Sequence, residues 1–216
     1  MPVHISPSLA AAPQDRLGQV VIELETAGAD SLHFDLEDGT FVPMMTLGTK
    51  MIADLRHVTR LPFDVHLMMV NPEWILADII RFGANRVSVH YEACPYPRRV
   101  LRQIASLGAE AGITFNPGTP IPDLAYLSPY LSFIVILTTE PEVPDCPFLP
   151  EVLEKVRTGK QARGLEGIEW VVDGGLNPEN LPQAVVAGAD TAVIGRSVFK
   201  DGKILENMAA LRKTLT

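Results

Sequence analysis

The sequence has few cysteines, no long apolar run and no excess of basic residues. Cys94 and Cys146 are the two cysteines among 216 residues, too few for a disulfide framework and without the spacing of metal ligands. No apolar run approaches the roughly 18 residues that span a bilayer. The start, residues 1–5, lacks the basic and apolar segments of a secretory signal. We therefore expect a protein of the reducing cytoplasm without membrane association.

The chain is also poor in positive charge. It carries 18 lysines and arginines against 26 aspartates and glutamates, a formal net charge of −8. Nucleic-acid binding requires clustered basic residues that neutralise phosphates, so no nucleic-acid partner is expected. A small phosphate ester is not excluded, because backbone N–H groups at a helix N-terminus bind an anion without basic side chains.

What the sequence does contain is an alternation of short β-rich apolar runs and helical stretches, which is typical of parallel βαβ units. Eight strands, each followed by a plausible helix, fit a closed barrel better than an open doubly wound sheet. No G-x-G-x-x-G motif follows the first strand, which disfavours dinucleotide binding. We predict one α/β domain over residues 1–216, a (β/α)8 barrel (TIM barrel). The predicted strands are 3–8, 31–35, 63–68, 86–90, 110–116, 133–138, 169–173 and 191–195.

Turn signals divide the chain in the same way. Apolar residues at helical spacing over 17–24 predict a helix that stops at Gly28. Ala-Gly-Ala segments around Gly28 and Gly188, and a related segment at Gly83, predict helix-to-strand turns with a left-handed glycine. Residues 138–147 contain three prolines and no glycine, which predicts a stiff, non-helical loop.

Polar residues at strand ends are the candidates for chemistry, because active sites of such barrels form at the C-terminal ends of the strands. On the second strand His33 and Asp35 share one face, and the apolar cover of the outer helices makes that face the inner one. A buried carboxylate is costly unless it is paired or binds a metal. The alternative to a metal site is a buried His33–Asp35 pair joined by a hydrogen bond.

Two further strand ends favour the metal interpretation. His66 lies on the next strand, with Met68 on the same face, and Asp173 ends the seventh strand. His66 and Asp173, together with His33 and Asp35, give two imidazoles and two carboxylates at one end of the barrel. This set suits Zn²⁺ or a similar divalent ion. As a purely structural arrangement, the same set would bury several polar groups without obvious partners.

A phosphate is expected at the loops after strands seven and eight, where such barrels commonly bind one. Gly174 and Gly175 follow the seventh strand, and Gly195 with Arg196 follows the eighth. Glycines allow the backbone to approach an anion closely, next to a predicted helix start. Simple turn formation is the alternative for these glycines.

In these motifs the sequence resembles the ribulose-phosphate 3-epimerase family along nearly its whole length. The matching segments are Ile-Ser-Pro-Ser-Leu at 5–9, Ala-Gly-Ala-Asp at 27–30, His-Phe-Asp at 33–35, Asp-Gly-Thr-Phe-Val-Pro at 38–43, Asp-Val-His-Leu-Met at 64–68, Asn-Pro-Glu at 71–73, Val-His-Tyr-Glu-Ala at 89–93, Asn-Pro-Gly-Thr-Pro at 116–120, Val-Asp-Gly-Gly-Leu at 172–176, and Gly195 with Val-Phe at 198–199.

The resemblance implies an isomerase that epimerises C3 of a ketose phosphate through an enediolate, D-ribulose 5-phosphate being the family's principal substrate. Two carboxylates on opposite sides of the carbon move the proton, and a divalent ion stabilises the developing charge. The family's metal ligands match His33, Asp35, His66 and Asp173, and its acid–base pair matches Asp35 and Asp173. Zn²⁺ is our first expectation, with Mn²⁺, Fe²⁺ and Co²⁺ open.

The resemblance also implies substrate contacts and an assembly. The family's residue at Ser8 contacts the substrate, and the one at Met68 packs near the reacting carbon. Its phosphate grip matches Gly174, Gly175 and Gly195. A homo-oligomer is expected from the family alone.

Departures from the family pattern leave the sugar open. The family's loop after the sixth strand is glycine-rich, whereas 138–147 has no glycine and its acidic residues would repel a phosphate. Two usual methionines are Glu37 and Leu137. A usual serine is Arg196, which either binds an anionic ligand or forms a surface salt bridge.

Two other functions compete with epimerisation. A related aldolase- or decarboxylase-type barrel would require a lysine near Glu37, where none is present. A non-catalytic sugar-phosphate binder would not need the opposed carboxylates Asp35 and Asp173.

Overall fold

The computed structural model describes residues 3–141 and 146–215, in which eight parallel strands form one sheet. The order β1-β8-β7-β6-β5-β4-β3-β2 places each strand beside its neighbour in sequence, with β8 beside β1. The strands are β1 His4–Pro7, β2 Leu32–Glu37, β3 Phe63–Met68, β4 Arg86–His90, β5 Glu110–Phe115, β6 Phe133–Leu137, β7 Glu169–Asp173 and β8 Thr191–Ile194.

The barrel is nearly closed between β1 and β2. Ser8 and His33 form an isolated parallel bridge at this junction. Lower down, the Ile5 amide donates to Asp30 Oδ2 at 2.7 Å and the Asp30 amide donates to the Ile5 carbonyl at 3.1 Å. The predicted (β/α)8 barrel is therefore confirmed.

Short helices surround the strands. They are α1 Leu17–Thr26, α2 Thr49–Arg56, α3 Leu76–Arg81, α4 Pro97–Ser106, α5 Glu154–Lys160, α6 Leu181–Ala187, α7 Arg196–Phe199 and α8 Ile204–Lys213. The predicted glycine turns are present: Gly28, Gly83 and Gly188 have φ of 79°, 117° and 100°. Among the residues that the structure describes, no helix is long and apolar enough to cross a membrane.

The expectation that every strand is followed by a helix was wrong at one place. Between β5 and β6 the described chain forms only a single 3-10 turn, Ser128–Tyr130. Prolines at 117, 120, 122 and 129 remove the amide donors that a helix in this segment would need. The last strand is followed by two helices, α7 and α8, so the described residues still contain eight α-helices.

The barrel interior is divided into an apolar and a polar half. Phe133, Val135, Leu137, Val171 and Val193 form a separate apolar cluster contributed by β6, β7 and β8. The larger core lies between the strands and the helices. On the side of β1 to β4, buried polar residues stand in place of apolar ones: Ser6, Ser8, His33, Asp35, Glu37, Asp64, His66, Ser88 and His90.

One close helix–strand contact depends on a glycine. A Cβ on Gly159 of α5 would lie 1.8 Å from Cη2 of Trp170, a fully buried side chain of β7. The glycine is therefore required for packing in spite of its low helix propensity.

We predict that Gly159→Ala lowers the free energy of unfolding by about 1–3 kcal/mol, because the indole must move out of a filled core. Gly18→Ala in α1 is the matched control, since nothing lies within 4 Å of its added Cβ. That variant is expected to be more stable by about 0.5–1 kcal/mol. Urea unfolding of both variants measures the difference, and equal effects would contradict the packing explanation.

Candidate active site

The structure brings together the four residues singled out at the strand ends. His33, Asp35, His66 and Asp173 each offer one ligand atom, and these atoms all lie within 4.8 Å of one another. His33 and Asp35 are on β2, His66 on β3 and Asp173 at the end of β7. The first three are buried, and Asp173 is partly buried. We call this set the His/Asp cluster.

The separations within the His/Asp cluster suit one small cation. Asp35 Oδ1 lies 3.2 Å from His33 Nε2 and 3.3 Å from His66 Nδ1. Asp173 Oδ2 lies 3.7 Å and 3.8 Å from the same two nitrogens. Ligand atoms that surround a tetrahedral Zn²⁺ with bonds of roughly 2.1 Å are separated by about 3.4 Å. The four separations, from 3.2 to 3.8 Å, lie near this value, so the donor atoms can surround one such ion after small shifts.

One nitrogen atom of the cluster makes no hydrogen bond with any of the described residues. His66 Nδ1 is buried and has no hydrogen-bond partner, since its 3.3 Å approach to Asp35 Oδ1 lacks hydrogen-bond geometry. A buried polar atom without a partner costs about 1–3 kcal/mol. A cation at the centre of the cluster would remove that cost, so these residues fit a divalent metal.

His33 is held by a residue that the sequence analysis missed. Asp64 Oδ2 lies 3.0 Å from His33 Nδ1, on the side of the ring opposite to the cluster. A carboxylate on one ring nitrogen keeps the proton there and leaves the other nitrogen free for a metal. The signal was available, because Asp64 alternates with His66 along β3 and so shares its inward face.

Burial and neighbouring charges shift the pKa values of the cluster's groups in opposite directions. Burial opposes the charged form of His33, but the carboxylates of Asp35 and Asp64 outweigh it and raise its pKa well above the usual value. Burial likewise disfavours the Asp35 carboxylate, yet His33 holds its pKa far below the ordinary range. For Asp173 burial prevails and raises the pKa to about 6. Without a metal, two similar carboxylates thus differ strongly in proton affinity.

A cleft of about 340 Å³ opens directly above the cluster. This volume is at the lower end of the range for small-molecule sites. Ser8 also donates a 2.6 Å hydrogen bond to Asp35 Oδ2. All six residues predicted to contact substrate line the cleft: Ser8, Met68, Gly174, Gly175, Gly195 and Arg196.

The glycine end of the cleft is constrained by its own packing. Gly174 and Gly175 have φ of 113° and 69°, and a Cβ on Gly174 would lie 2.4 Å from Thr139 Cγ2. A Cβ on Gly195 would lie 3.2 Å from Ala11 Cβ. Glycine is therefore needed for the turn and for close packing, which keeps the backbone at the cleft wall.

Arg196 is the first residue of α7 and lines the same end of the cleft. In the parts of the chain that the structure describes, no carboxylate lies within 4.0 Å of its guanidinium. The structure therefore shows no salt bridge of Arg196 among the described residues, and its role in binding an anion stays a prediction.

Two departures from the family pattern also lie here. Glu140 and Pro141 line the cleft. The described part of the predicted stiff loop is non-helical, and residues 142–145 lie outside the described residues.

Glu37 is buried, and it pairs with Met68 in the register of β2 and β3. Its Oε2 accepts hydrogen bonds from the Thr46 amide at 2.7 Å and the Thr46 hydroxyl at 2.9 Å. Glu37 thus anchors the loop after β2 through its hydrogen bonds with Thr46.

Comparisons with known proteins agree with the arrangement. A model of the ribulose-phosphate 3 epimerase family matches residues 4–199. The ribulose-phosphate 3-epimerase of Synechocystis sp. is 39% identical over 216 aligned residues, covering 98% of this chain and 94% of that protein. The enzyme of the same name from Bacillus subtilis is 34% identical over 200 residues, covering 91% and 92%. The resemblance inferred from the motifs is confirmed.

More distant structures share the fold alone. The tryptophan synthase α-subunit of Pyrococcus furiosus superposes with a TM-score of 0.67 at 14% identity, covering 99% of this chain and 96% of that one. Thiamine phosphate pyrophosphorylase of Pyrococcus furiosus gives a TM-score of 0.64 at 16% identity, covering 99% and 95%.

The proton affinities of the cluster predict how cation binding depends on pH. The raised pKa of His33 favours its protonated form, and Asp173, whose pKa is about 6, is mostly ionised at about pH 7.5. Zn²⁺ must displace the protons on its ligands, so more protons should be released at about pH 5.5, where Asp173 is mostly protonated, than at about pH 7.5. The affinity for Zn²⁺ must therefore fall as the pH falls.

Calorimetry in buffers of different ionisation enthalpy measures the released protons. Asp173→Asn should abolish the contribution of Asp173 to the additional release at low pH while keeping the proton from His33. Proton release that does not change with pH would refute this assignment of charges.

Proposed function

Because this chain belongs to the ribulose-phosphate 3-epimerase family and is an isomerase, we propose that it interconverts D-ribulose 5-phosphate and D-xylulose 5-phosphate by moving the proton on C3. The observation that carries the proposal is the convergence of four ligand atoms, including the unpartnered His66 Nδ1, below a cleft of sugar-phosphate size. A cytoplasmic location and a homo-oligomeric state stay predictions.

The His/Asp cluster would hold a divalent cation, with Zn²⁺ as our first choice and Mn²⁺, Fe²⁺ or Co²⁺ as alternatives. When bound, such an ion supplies positive charge that makes the hydrogen next to a ketone more acidic. His33 and His66 serve to fix the ion and take no part in proton transfer.

Asp35 and Asp173 move the proton. Each points one oxygen into the cluster, Oδ1 of Asp35 and Oδ2 of Asp173. The second oxygen of Asp173 is left for the substrate, and Asp35 Oδ2, which accepts one hydrogen bond from Ser8, keeps a further lone pair for the C3 proton. One carboxylate takes the C3 proton from one face, and the other returns a proton to the opposite face through an enediolate. Their separated proton affinities suit this division between base and acid. The roles exchange in the reverse reaction.

The remaining cleft residues orient the sugar and bind its phosphate. Ser8 donates to Asp35 Oδ2, which fixes the carboxylate and places the hydroxyl beside the substrate. Met68 provides an apolar surface next to the reacting carbon and excludes water. The phosphate would lie against the turns at Gly174 and Gly195, with Arg196 supplying a guanidinium.

The competing functions have less support. Among the described residues, no lysine lines the cleft, which disfavours a lysine-dependent aldolase or decarboxylase. A non-catalytic binder has no need of two carboxylates with opposed proton affinities. Glu37 and Glu140 differ from the family pattern, so a related ketose phosphate is the alternative substrate. A panel of ketose 5- and 6-phosphates, followed by C3 exchange in D₂O with added Zn²⁺, identifies the sugar.

Replacing either proton carrier should stop the reaction. We expect Asp35→Asn and Asp173→Asn each to reduce epimerisation of D-ribulose 5-phosphate by about 10²- to 10⁴-fold, the usual contribution of acid–base groups. Metal content must be measured in parallel, because both residues also belong to the cluster. Asp54→Asn, at an exposed residue paired with Lys50, is the control. Deuterium exchange at C3 that persists in both variants would exclude the two-carboxylate mechanism.

Loss of Arg196 should weaken recognition of the phosphate alone. Because a charge-assisted hydrogen bond contributes about 1.5–3 kcal/mol, we expect Arg196→Ala to raise KM for the phosphorylated ketose by about 10- to 100-fold with little change in kcat. Arg102→Ala, at an exposed residue of α4, is the matched control. Steady-state kinetics measure both constants, and an unchanged KM would show that Arg196 does not contribute to binding of the phosphate.

A further inference from the structure

A row of hydrogen bonds leads away from the His/Asp cluster on the far side of His66, from a buried contact towards the surface. His66 Nε2 lies 2.9 Å from His90 Nε2, and His90 Nδ1 lies 3.2 Å from Glu92 Oε2. The other oxygen of Glu92 accepts a 2.8 Å hydrogen bond from the Asn116 amide. Both imidazoles are fully buried. We call His66, His90 and Glu92 the relay.

The relay is built on rigid parts of the barrel. His66 is on β3 and His90 is the last residue of β4. Glu92 lies in the 3-10 turn that follows, and Asn116 comes directly after β5. The loop at Asn116 is itself fixed, because Lys155 Nζ donates to the carbonyl oxygens of Asn116 at 2.9 Å and Pro117 at 2.8 Å.

Only one placement of protons satisfies every contact of the relay when His66 binds a cation. His66 Nδ1 faces the cluster and must offer a lone pair, so the ring proton is on Nε2. His66 Nε2–H then donates to His90 Nε2, which must accept. The proton of His90 is therefore on Nδ1 and is donated to the carboxylate of Glu92, which can only accept when ionised.

We propose that His90 and Glu92 are positioning residues that fix the tautomer of His66 and thereby set the affinity of the cluster for a divalent cation. The proposal rests on the proposed metal role of the cluster. If the His66 proton moved to Nδ1, the lone pair would be lost to the cation. The relay would then reverse and direct a nitrogen lone pair of His90 at the Glu92 carboxylate, which is repulsive. The ionised Glu92 thus excludes the tautomer that cannot bind metal.

The variant Glu92→Gln separates this role from simple space filling, because glutamine has nearly the same shape. One oxygen of Glu92 faces the donor His90 Nδ1–H and the other faces the donor Asn116 N–H. A glutamine amide must direct its own N–H₂ at one of these two donors in either orientation. If the glutamine keeps both contacts, His90 relieves the conflict by moving its proton to Nε2, which then opposes His66 Nε2–H.

We expect Glu92→Gln to weaken Zn²⁺ binding by about 10- to 100-fold, the usual effect of losing an outer partner of a metal-binding histidine. Zn²⁺ affinity is measured by competition with a chelator of known affinity, on the full chain. Glu73→Gln is the matched control, since it removes an ion pair with Arg99, a residue of α4 outside the cluster. His90→Gln, whose side-chain oxygen can still accept from His66, should retain more affinity than His90→Leu.

A second measurement reports the tautomers directly. ¹⁵N NMR of the Zn²⁺-loaded protein should show the proton of His66 on Nε2 and that of His90 on Nδ1, and a changed His90 signal in Glu92→Gln. Unchanged Zn²⁺ affinity in Glu92→Gln, or a His66 proton on Nδ1, would overturn the relay. If the unmodified chain binds no Zn²⁺ at all, the metal role of the cluster fails first, so the two failures can be told apart.

Discussion

Two buried carboxylates and two buried imidazoles that face one another form an arrangement that hydrogen bonding alone cannot satisfy. His66 Nδ1 lacks a partner, and burial raises the pKa of Asp173 to about 6. A divalent cation would resolve both problems, because it would bind the lone pair of His66 Nδ1 and offset the negative charge of the carboxylates. The polar half of the barrel interior depends on this centre, since Ser8, Asp64 and His90 each contact one of its four members.

The barrel and the centre were accessible from the sequence because both depend on short-range rules. Alternation along a strand determines the facing of a side chain, and it placed His33, Asp35 and His66 on one surface. The predicted strand 63–68 agrees with β3 at both ends. The missing helix after β5 was not foreseen, although four prolines between 117 and 129 oppose it. The contacts of Asp64, His90 and Glu92 required the register between neighbouring strands, which cannot be obtained from one strand alone; for Asp64, alternation along β3 gave only the inward facing of its side chain.

The sequence of this chain departs from the motifs of the family at Glu37, Glu140 and Arg196, which leaves the choice among ketose phosphates open. Glu37 is buried, and its Oε2 accepts hydrogen bonds from Thr46 that hold the loop after β2. Glu140 brings a carboxylate to the cleft, and Arg196 brings a guanidinium to the end where the phosphate is proposed to bind. These three residues are distinct from the four of the His/Asp cluster, so substitutions at them would change the cleft without removing a cluster residue.

Dependence of C3 exchange on bound cation tests the central proposal most directly. The protein is freed of metal, titrated with Zn²⁺, and incubated with D-ribulose 5-phosphate in D₂O while deuterium at C3 is followed by NMR. The His/Asp cluster predicts almost no exchange without metal and a rate that rises until one ion is bound per chain. Full exchange in the metal-free protein, or none at saturation with any of the four cations, would contradict a metal-assisted epimerase.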